Sequence, residues 1–370
     1  MREYLLVLLV AAASTYLLAG LCRQLAVRWD VIAQVRTRDV HTRPVPYFGG
    51  IAMLGGLAVS LLLAVQMPFL SRFANVGYDA GVVLLAGGVI CLVGVLDDKY
   101  DLPALVKFGG QVLAAGIAVL GGVRIFWIPL PNAVFSLDDA TSILITVFFI
   151  ALCANAVNFV DGLDGLAAGV VAIGAGAFFA YSYVLAYEQE LSRATTASLL
   201  TAATVGVCIG FLGHNFQPAR MFMGDSGAML LGFLMAMSAV SFTGQVDPSA
   251  LSDKPGDVWP AVLPILLPFA TLFLPMVDLV LAYIRRTARG QHWFVADKQH
   301  LHHRLMARGY SHRGAVLILY AWTAIVAGGL VCTVLLNHPA TWWGLAVATT
   351  LLLVVTFVSH RVTKADAHAS

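Results

Sequence analysis

The chain has 370 residues, of which 59% are hydrophobic and only 11% charged, and its mean hydropathy is +0.84. Soluble domains are about 25% charged, so this composition excludes a soluble protein and indicates a polytopic membrane protein. The formal net charge of +2 gives no reason to expect nucleic acid as a partner. Five cysteines lie in or beside apolar segments without the paired spacing of a metal or redox motif, so we expect small core residues.

Apolar stretches near the length of about 20 residues that a membrane-spanning helix needs recur along the chain. We interpret the first as an uncleaved span, because Leu21, and not a small residue, precedes Cys22. The prediction is an all-α protein of about eleven transmembrane helices in a single catalytic domain over residues 1–370. The spans are Tyr4–Leu21, Phe48–Met67, Asp79–Leu96, Lys107–Val123, Thr141–Val157, Leu166–Ala186, Ala194–Gly213, Gly227–Gly244, Trp259–Tyr283, Ala315–Leu336 and Thr341–Ser359.

The distribution of Lys and Arg predicts the orientation of these spans. If residues 22–47 are cytoplasmic and the loops alternate, only five of the 22 basic residues fall on the other side. Under the positive-inside rule the N-terminus is then outside and the C-terminus cytoplasmic. A short extended element is predicted outside, near 124–131. The predicted cytoplasmic loops are 22–47, 97–106, 158–165, 214–226 and 285–314, and they carry every polar motif discussed below, which indicates one composite site.

Two carboxamides and two carboxylates occur within ten positions between two long apolar runs. They are Asn155, Asn158, Asp161 and Asp164. Such a cluster is costly near a bilayer and indicates a functional site, and the glycine after each Asp allows the backbone to leave helical geometry. The alternative is a polar turn between two helices.

A second acidic motif contains Asp97, Asp98 and Asp101, with Lys107 following it. Adjacent carboxylates repel each other unless a cation compensates their charge. Mg²⁺ usually binds one or two carboxylates together with substrate phosphates, so the motif favours magnesium-dependent phosphate chemistry. A solvated helix end, with Lys107 as an interfacial anchor, explains the pattern equally well.

A third motif, Met223–Gly227, places the acid Asp225 between glycines at a predicted helix start. Free amides at a helix N-terminus can receive phosphate oxygens, and Asp225 can hold a metal beside them. An ordinary N-cap at Asp225 or Ser226 is the alternative.

The most basic loop contains a histidine-rich motif made of His300, His302, His303 and Arg304. Its surroundings favour binding of a phosphate or a nucleotide sugar, because the acids or cysteines of a zinc site are missing apart from Asp297. A basic loop on anionic lipid explains the arginines but not the histidines. His41 belongs to a stiff, proline-containing loop that enters the second span.

In order and spacing these motifs resemble those of the polyprenyl-phosphate N-acetylhexosamine-1-phosphate transferases (glycosyltransferase family 4), over about residues 36–313. In the branch that uses UDP-MurNAc-pentapeptide, three consecutive histidines are typically followed by an aromatic residue and Glu. Here Leu301 interrupts the histidines and Arg304 follows them, which resembles the branch that uses UDP-GlcNAc.

The resemblance implies a reaction in which a membrane polyprenyl phosphate attacks the β-phosphorus of UDP-GlcNAc. The products are polyprenyl-diphosphate-GlcNAc and UMP, the first membrane step of a cell-envelope polysaccharide. The implied cofactor is Mg²⁺, with Mn²⁺ as a substitute, and the implied location is the bacterial inner (plasma) membrane. The expected partners are UDP-GlcNAc, the lipid phosphate and the bilayer. Formation of a homodimer is an open alternative.

The resemblance also implies roles for individual residues. Asp97 and Asp98 are expected to be catalytic, as a base or, for Asp97, as a covalent nucleophile; Asp225 and Asn158 are expected at the metal. The expected substrate-binding residues are Lys107, Asn155, Asp161, Asp164, His300, His302, His303 and Arg304, with His41 and Asp101 as accessory residues.

Three alternatives stay open. The same chemistry can use UDP-MurNAc-pentapeptide or another UDP-N-acetylhexosamine. A transporter of anionic solutes also has broken helices and intramembrane acids, but it is expected to show polar groups at both faces or an inverted repeat. A CDP-alcohol phosphotransferase requires an Arg four positions after the glycine of its D-G-x-x-A-R motif, and none follows Asp164-Gly165 there.

Overall fold

The computed structural model describes residues 1–29, 31–33, 45–130, 133–188, 194–245, 259–273, 305–336 and 338–357, and positions 276, 277, 280, 284 and 287. The helices of this part are α1 (Arg2–Arg28), α2 (Gly49–Ala64), α3 (Ala74–Tyr100), α4 (Ala104–Leu120), α5 (Asp139–Val160), α6 (Leu166–Glu188), α7 (Thr195–Asn215), α8 (Gly224–Gln245), α9 (Trp259–Thr271), α10 (His312–Thr323), α11 (Gly329–Leu336) and α12 (Pro339–Phe357). A π-helical turn, Ala324–Gly328, joins α10 to α11, and a 3₁₀ turn, Leu70–Arg72, precedes α3.

The chain is a predominantly helical, polytopic membrane protein, as its composition predicts. Within the ranges just given, eight helices are long and apolar enough to cross a bilayer, counting α10 and α11 with the turn between them as one. Three further apolar helices, α2, α4 and α9, are shorter. Each of the eleven predicted spans overlaps one of these helices. The number of crossings and the orientation of the chain stay predictions.

Two antiparallel strand pairs connect the helices. Strands β1 (Ile32–Ala33) and β2 (Val45–Pro46) pair before α2. Strands β3 (Trp127–Leu130) and β4 (Ala133–Ser136) pair between α4 and α5, with Trp127 opposite Ser136. The second pair confirms the extended element predicted near 124–131.

Helix α8 lies at the centre of the bundle and packs against α2, α3, α5, α7 and α9. Nearly all of its side chains are buried, so it has no polar face. Gly94 of α3 lies against Ser226 in the first turn of α8, where a Cβ on Gly94 would overlap the backbone of Ser226. This close approach brings the last turn of α3, with its two adjacent carboxylates, to the start of α8.

Three predicted loops are shorter than expected, because the helices continue into them. Helix α3 extends to Tyr100 and α5 to Val160, so Asp97, Asp98 and Asn158 are helical residues. The loop predicted over 214–226 is likewise reduced, since α7 ends at Asn215 and α8 begins at Gly224. The periodicity of hydrophobic residues ends before the helices do, because these last turns already carry polar side chains.

Four of the five cysteines are buried, as expected of small core residues, but Cys332 is exposed. It lies on α11, near the end of the described chain, where fewer helices pack.

Candidate active site

The ammonium group of Lys107 binds two of the predicted acids at once. Asp101 ends α3 in a left-handed conformation (φ 52°), and α4 begins three residues later, so the chain reverses and Lys107 returns beside Asp97. Lys107 Nζ lies 2.6 Å from Asp97 Oδ2, and it also donates to Asp225 Oδ2 at the start of α8. All three side chains are mostly buried. The lysine therefore compensates carboxylates from two different helices.

Asn158 joins the same group from the end of α5. Its Nδ2 donates to Asp225 Oδ2 at 3.1 Å, the oxygen that Lys107 also contacts. Four residues predicted from three separate motifs thus meet at one place. We call Asp97, Lys107, Asn158 and Asp225 the acidic cluster. Asp101, in contrast, has an exposed side chain.

Asp98 caps the N-terminus of α8. Its Oδ1 accepts from the backbone N–H of Asp225 at 2.7 Å, and its Oδ2 accepts from the N–H and Oγ of Ser226 at 3.3 and 3.0 Å. The expectation that free amides at this helix start receive phosphate oxygens is therefore wrong for these two amides. Gly224 has φ +66°, and a Cβ there would overlap the Asp98 carboxylate, so glycine is required next to the cap.

The loop between α5 and α6 carries the other two predicted acids. Asp164 Oδ2 accepts from the backbone N–H of Ala219 at 3.0 Å and ties this loop to the segment before α8. Asp161 makes no side-chain hydrogen bond or ion pair within the part of the chain that the structure describes. Burial, and then the negative charges of Asp225, Asp98 and Asp164, raise the pKa of the Asp161 carboxyl to about 8. An acid in this environment favours a cationic partner.

Asn155 is paired with a residue that the motifs did not single out. Its Nδ2 donates to Gln111 Oε1 at 2.6 Å, and Gln111 Nε2 donates back at 3.2 Å and also contacts Met229 Sδ. The pair joins α4, α5 and α8 about one helical turn from the acidic cluster. A signal was present in the sequence, because fully buried Gln111 lies one helical turn after Lys107 in an otherwise apolar helix.

Two more residues fix the loops of the site. Buried Asn215 accepts from the N–H of Gly165 at 3.0 Å and donates to the carbonyl of Met221 at 3.0 Å. The hydroxyl of Tyr320 donates to the carbonyl of Gly165. Nothing in the sequence pattern identified either residue, since both contacts depend on tertiary packing. His41, His300, His302, His303 and Arg304 lie outside the described residues, so their assigned roles stay predictions.

The cluster suits a hard cation that substrates help to bind. No group of three or more His, Cys, Asp or Glu side chains within the described ranges is arranged to hold a metal ion. The cluster instead offers two carboxylates and one carboxamide around an ammonium group that already occupies a cation position. Mg²⁺ is usually bound by one or two carboxylates with substrate phosphates, so the donor set fits this ion.

Comparison with known proteins identifies a family whose matched region contains the candidate active site. The model of the family described as "Glycosyl transferase family 4" matches residues 80–243, from the start of α3 to the end of α8. This range contains every member of the acidic cluster and both loop acids. The fold and the match together define a polytopic membrane glycosyl transferase.

Similar proteins extend the match to nearly the whole chain. The decaprenyl-phosphate N-acetylglucosaminephosphotransferase of Mycolicibacterium smegmatis is 40% identical over 362 residues, covering 97% of this chain and 89% of that protein. The protein of the same description from Mycobacterium tuberculosis is 42% identical over 341 residues, 91% and 84% of the two chains. A probable undecaprenyl-phosphate N-acetylglucosaminyl 1-phosphate transferase of Bacillus subtilis is 30% identical, over 95% and 90%. The chain belongs to glycosyl transferase family 4.

Proposed function

We propose that this protein transfers GlcNAc-1-phosphate from UDP-GlcNAc to a membrane polyprenyl phosphate. The observation that carries the proposal is the acidic cluster, in which four helices bring carboxylates, a carboxamide and a lysine to one point. The relatives described above, named for this transfer at about 40% identity, support this choice of substrates. We place the reaction at the cytoplasmic face of the bacterial inner membrane, as the first membrane step of an envelope polysaccharide.

The reaction forms one phosphorus–oxygen bond and breaks another. An oxygen of the lipid phosphate attacks the β-phosphorus of UDP-GlcNAc, the bond from that phosphorus to the bridging oxygen breaks, and UMP leaves with the bridging oxygen. Both reactants are anions, so the site must reduce their mutual repulsion before they can meet. Fixed positive charge that is held in place before the reaction does this with little reorganisation.

We assign Asp225, with Asn158 beside it, to hold Mg²⁺. When bound, the ion supplies neutralisation of phosphate charge and polarisation of the β-phosphoryl group. Asn158 presents Nδ2 to Asp225 in this structure, so it contributes to a metal only after its amide rotates to present Oδ1. Lys107 occupies the cation position between the two carboxylates. A metal ion held by Asp225 would take this position, and we propose that Lys107 would then contact a substrate phosphate.

The adjacent acids Asp97 and Asp98 have different surroundings, and we assign them different roles. Both oxygens of Asp98 are occupied by donors from the start of α8, so it positions Asp225. Asp97 Oδ1 accepts from the N–H of Leu102, while its Oδ2 contacts the ammonium group of Lys107. Departure of Lys107 frees that oxygen to accept a proton from, or orient, the lipid phosphate. We therefore assign the base to Asp97.

The test uses purified protein in detergent with a polyprenyl phosphate, Mg²⁺ and one donor at a time. We expect UMP release from UDP-GlcNAc and none from UDP-MurNAc-pentapeptide, with loss of release in EDTA and in Asp225→Asn. UMP release from the pentapeptide donor alone would instead assign the protein to the branch that uses UDP-MurNAc-pentapeptide. No UMP from either donor, with folded protein, would contradict the transferase proposal and make solute transport the next hypothesis to test.

A further inference from the structure

His312 is half-buried, and the two nitrogens of its imidazole ring have unmade hydrogen bonds. It is the first residue of α10, directly after the N-cap Ser311, whose Oγ accepts from the N–H of Gly314 at 3.1 Å. Its Nδ1 and Nε2 are both buried, and neither has a hydrogen-bond partner in the described part of the chain. A neutral imidazole offers one donor and one acceptor. Native proteins rarely leave such buried groups unpaired, so the two nitrogens require a partner other than the described side chains, such as a ligand or an ordered water.

The start of α10 lies against both loops of the candidate active site. Arg313 Nε donates to the carbonyl of Gln217 at 2.9 Å, in the segment between α7 and α8. Tyr320, two helical turns after His312 and on the same face of α10, donates to Gly165 at the end of the other loop. The Asp164 carboxylate is close enough to interact electrostatically with the His312 ring. His312 is therefore part of the wall that these loops form.

Electrostatic interactions connect this wall to the acidic cluster. Asp161 lies within electrostatic range of both Asp225 and Asp164, so it connects the cluster to the loop acid beside His312. Asn215 bonds Gly165 and Met221 at once and keeps the two loops together. A ligand whose phosphates lie at Asp225 can thus extend along the wall toward His312.

We propose that His312 binds the sugar-nucleotide donor through hydrogen bonds to polar atoms outside its diphosphate. This inference rests on the proposed function. A polyprenyl phosphate has polar atoms only in its phosphate, and that group must lie at the reaction centre. UDP-GlcNAc, in contrast, carries hydroxyl, amide and imide groups on both sides of its diphosphate. A hydrogen-bonding side chain that lies away from the cluster therefore fits the donor and not the lipid.

Steady-state kinetics of His312→Ala test the assignment, with His312→Gln as the conservative variant. Loss of two hydrogen bonds is expected to raise KM for UDP-GlcNAc roughly ten- to 100-fold, with KM for the polyprenyl phosphate unchanged. His312→Gln retains a donor and an acceptor and is expected to recover part of the loss. The matched control is His338→Ala, since His338 Nδ1 already accepts from the N–H of Ala340 within its own turn. It is expected to leave both KM values unchanged.

Thermal unfolding with UMP or UDP-GlcNAc, without lipid, gives a readout that needs no turnover. We expect His312→Ala to keep the ligand-free Tm, because no intramolecular bond is lost, and to lose most of the ligand-induced rise in Tm. Loss with both ligands places His312 at the nucleoside, and loss with UDP-GlcNAc alone places it at the sugar; either result supports the proposal. An unchanged donor KM, or a fall in ligand-free Tm that accounts for the effect, would overturn it. Wild-type protein that binds these ligands but releases no UMP contradicts the proposed function alone.

Discussion

Acidic residues at the two ends of the helix bundle differ in the hydrogen bonds that they accept. At the end where α1 and α3 begin, Glu3 accepts from the backbone N–H groups of Phe69 and Leu70 at 2.8 and 2.9 Å. Buried Asp79, in the first turns of α3, accepts from Thr196 Oγ1 at 3.1 Å. Each of these acids has donors of its own from a neighbouring element, and the contacts fix the positions of the helices.

At the other end, the acids share donors or lack them. Lys107 lies between Asp97 and Asp225, and Asp161 has no side-chain partner within the described ranges. Asp98, which caps a helix, and Asp164, which accepts from the N–H of Ala219, resemble the acids of the opposite end. The difference indicates that acids with complete hydrogen bonding hold the bundle together, whereas an excess of carboxylates over donors marks the place where a cation and its phosphates bind.

The largest difference in turnover is expected between two variants, in each of which one acid at one end of the bundle is replaced by its amide. Asp225→Asn removes the charge on which the acidic cluster converges, so turnover is expected to fall by roughly 10²–10³-fold or more. Glu3→Gln removes a charge of the opposite end and keeps an acceptor, so turnover is expected to stay within about twofold. UMP release by the two variants, with Tm measured for each, makes the comparison. Equal losses in both would remove the distinction between the ends.

Asp98 is expected to affect stability first and turnover through it. Asp98→Ala removes the cap of α8, a loss of about 1–2 kcal/mol in the free energy of unfolding, and displaces Asp225 with the helix start. Asp98→Asn keeps acceptors and is expected to retain more of the Tm. Denaturation in detergent and UMP release are measured for both. An inactive Asp98→Ala with the wild-type Tm would assign Asp98 to the chemistry and not to the cap.

Lys107 is expected to compete with a metal ion for the acidic cluster. Lys107→Met removes the competitor, so Mn²⁺ is expected to bind about tenfold more tightly, although turnover falls because a phosphate contact is lost. The matched control is Lys99→Met, which removes the same charge from the end of α3, where Lys99 is exposed and lies over the Tyr100 ring. Calorimetric titration with Mn²⁺ measures both variants. Equal affinities in wild type and Lys107→Met would contradict the competition.

A further prediction is a pH dependence of stability that arises from Asp161. Its pKa is raised from 3.8 to about 8, so between these values the folded protein keeps a proton that the unfolded chain releases, and stability falls as pH rises through this window. Asp161→Asn cannot ionise. Without divalent metal, its Tm advantage over wild type is therefore expected to grow from pH 5 to pH 8 and then to level off. A constant difference across this range would show that burial and the neighbouring acids do not control Asp161.

Sequence patterns predicted the helical membrane fold and the residues that meet at the acidic cluster. Hydropathy located the helices because each is apolar along most of its length, as α5 and α6 show on either side of the Asp161 loop. Asp97, Lys107, Asn158 and Asp225 were recognised because charged or amide side chains in such a chain are costly and rarely accidental.

The roles within the cluster required tertiary structure. Asp97 and Asp98 are adjacent and look equivalent in sequence, but one faces Lys107 and the other caps α8, since successive helical residues point about 100° apart. Asn155 pairs with Gln111 because of the way in which the helices pack together. The same holds for the two ring nitrogens of His312 that have no hydrogen-bond partner in the described part of the chain. Local sequence can single out a polar residue such as Gln111 in an apolar helix, but it does not say which side chain it will contact.

The central claim, that one end of the bundle holds a cation at Asp225 and the other does not, is tested most directly by electron paramagnetic resonance of Mn²⁺. Purified wild type, Asp225→Asn and Glu3→Gln are titrated with Mn²⁺ in detergent with UDP-GlcNAc present. We predict one bound Mn²⁺ in wild type and in Glu3→Gln, and none in Asp225→Asn at the same concentration. Equal binding by all three proteins, or no binding by folded wild type, would contradict the account.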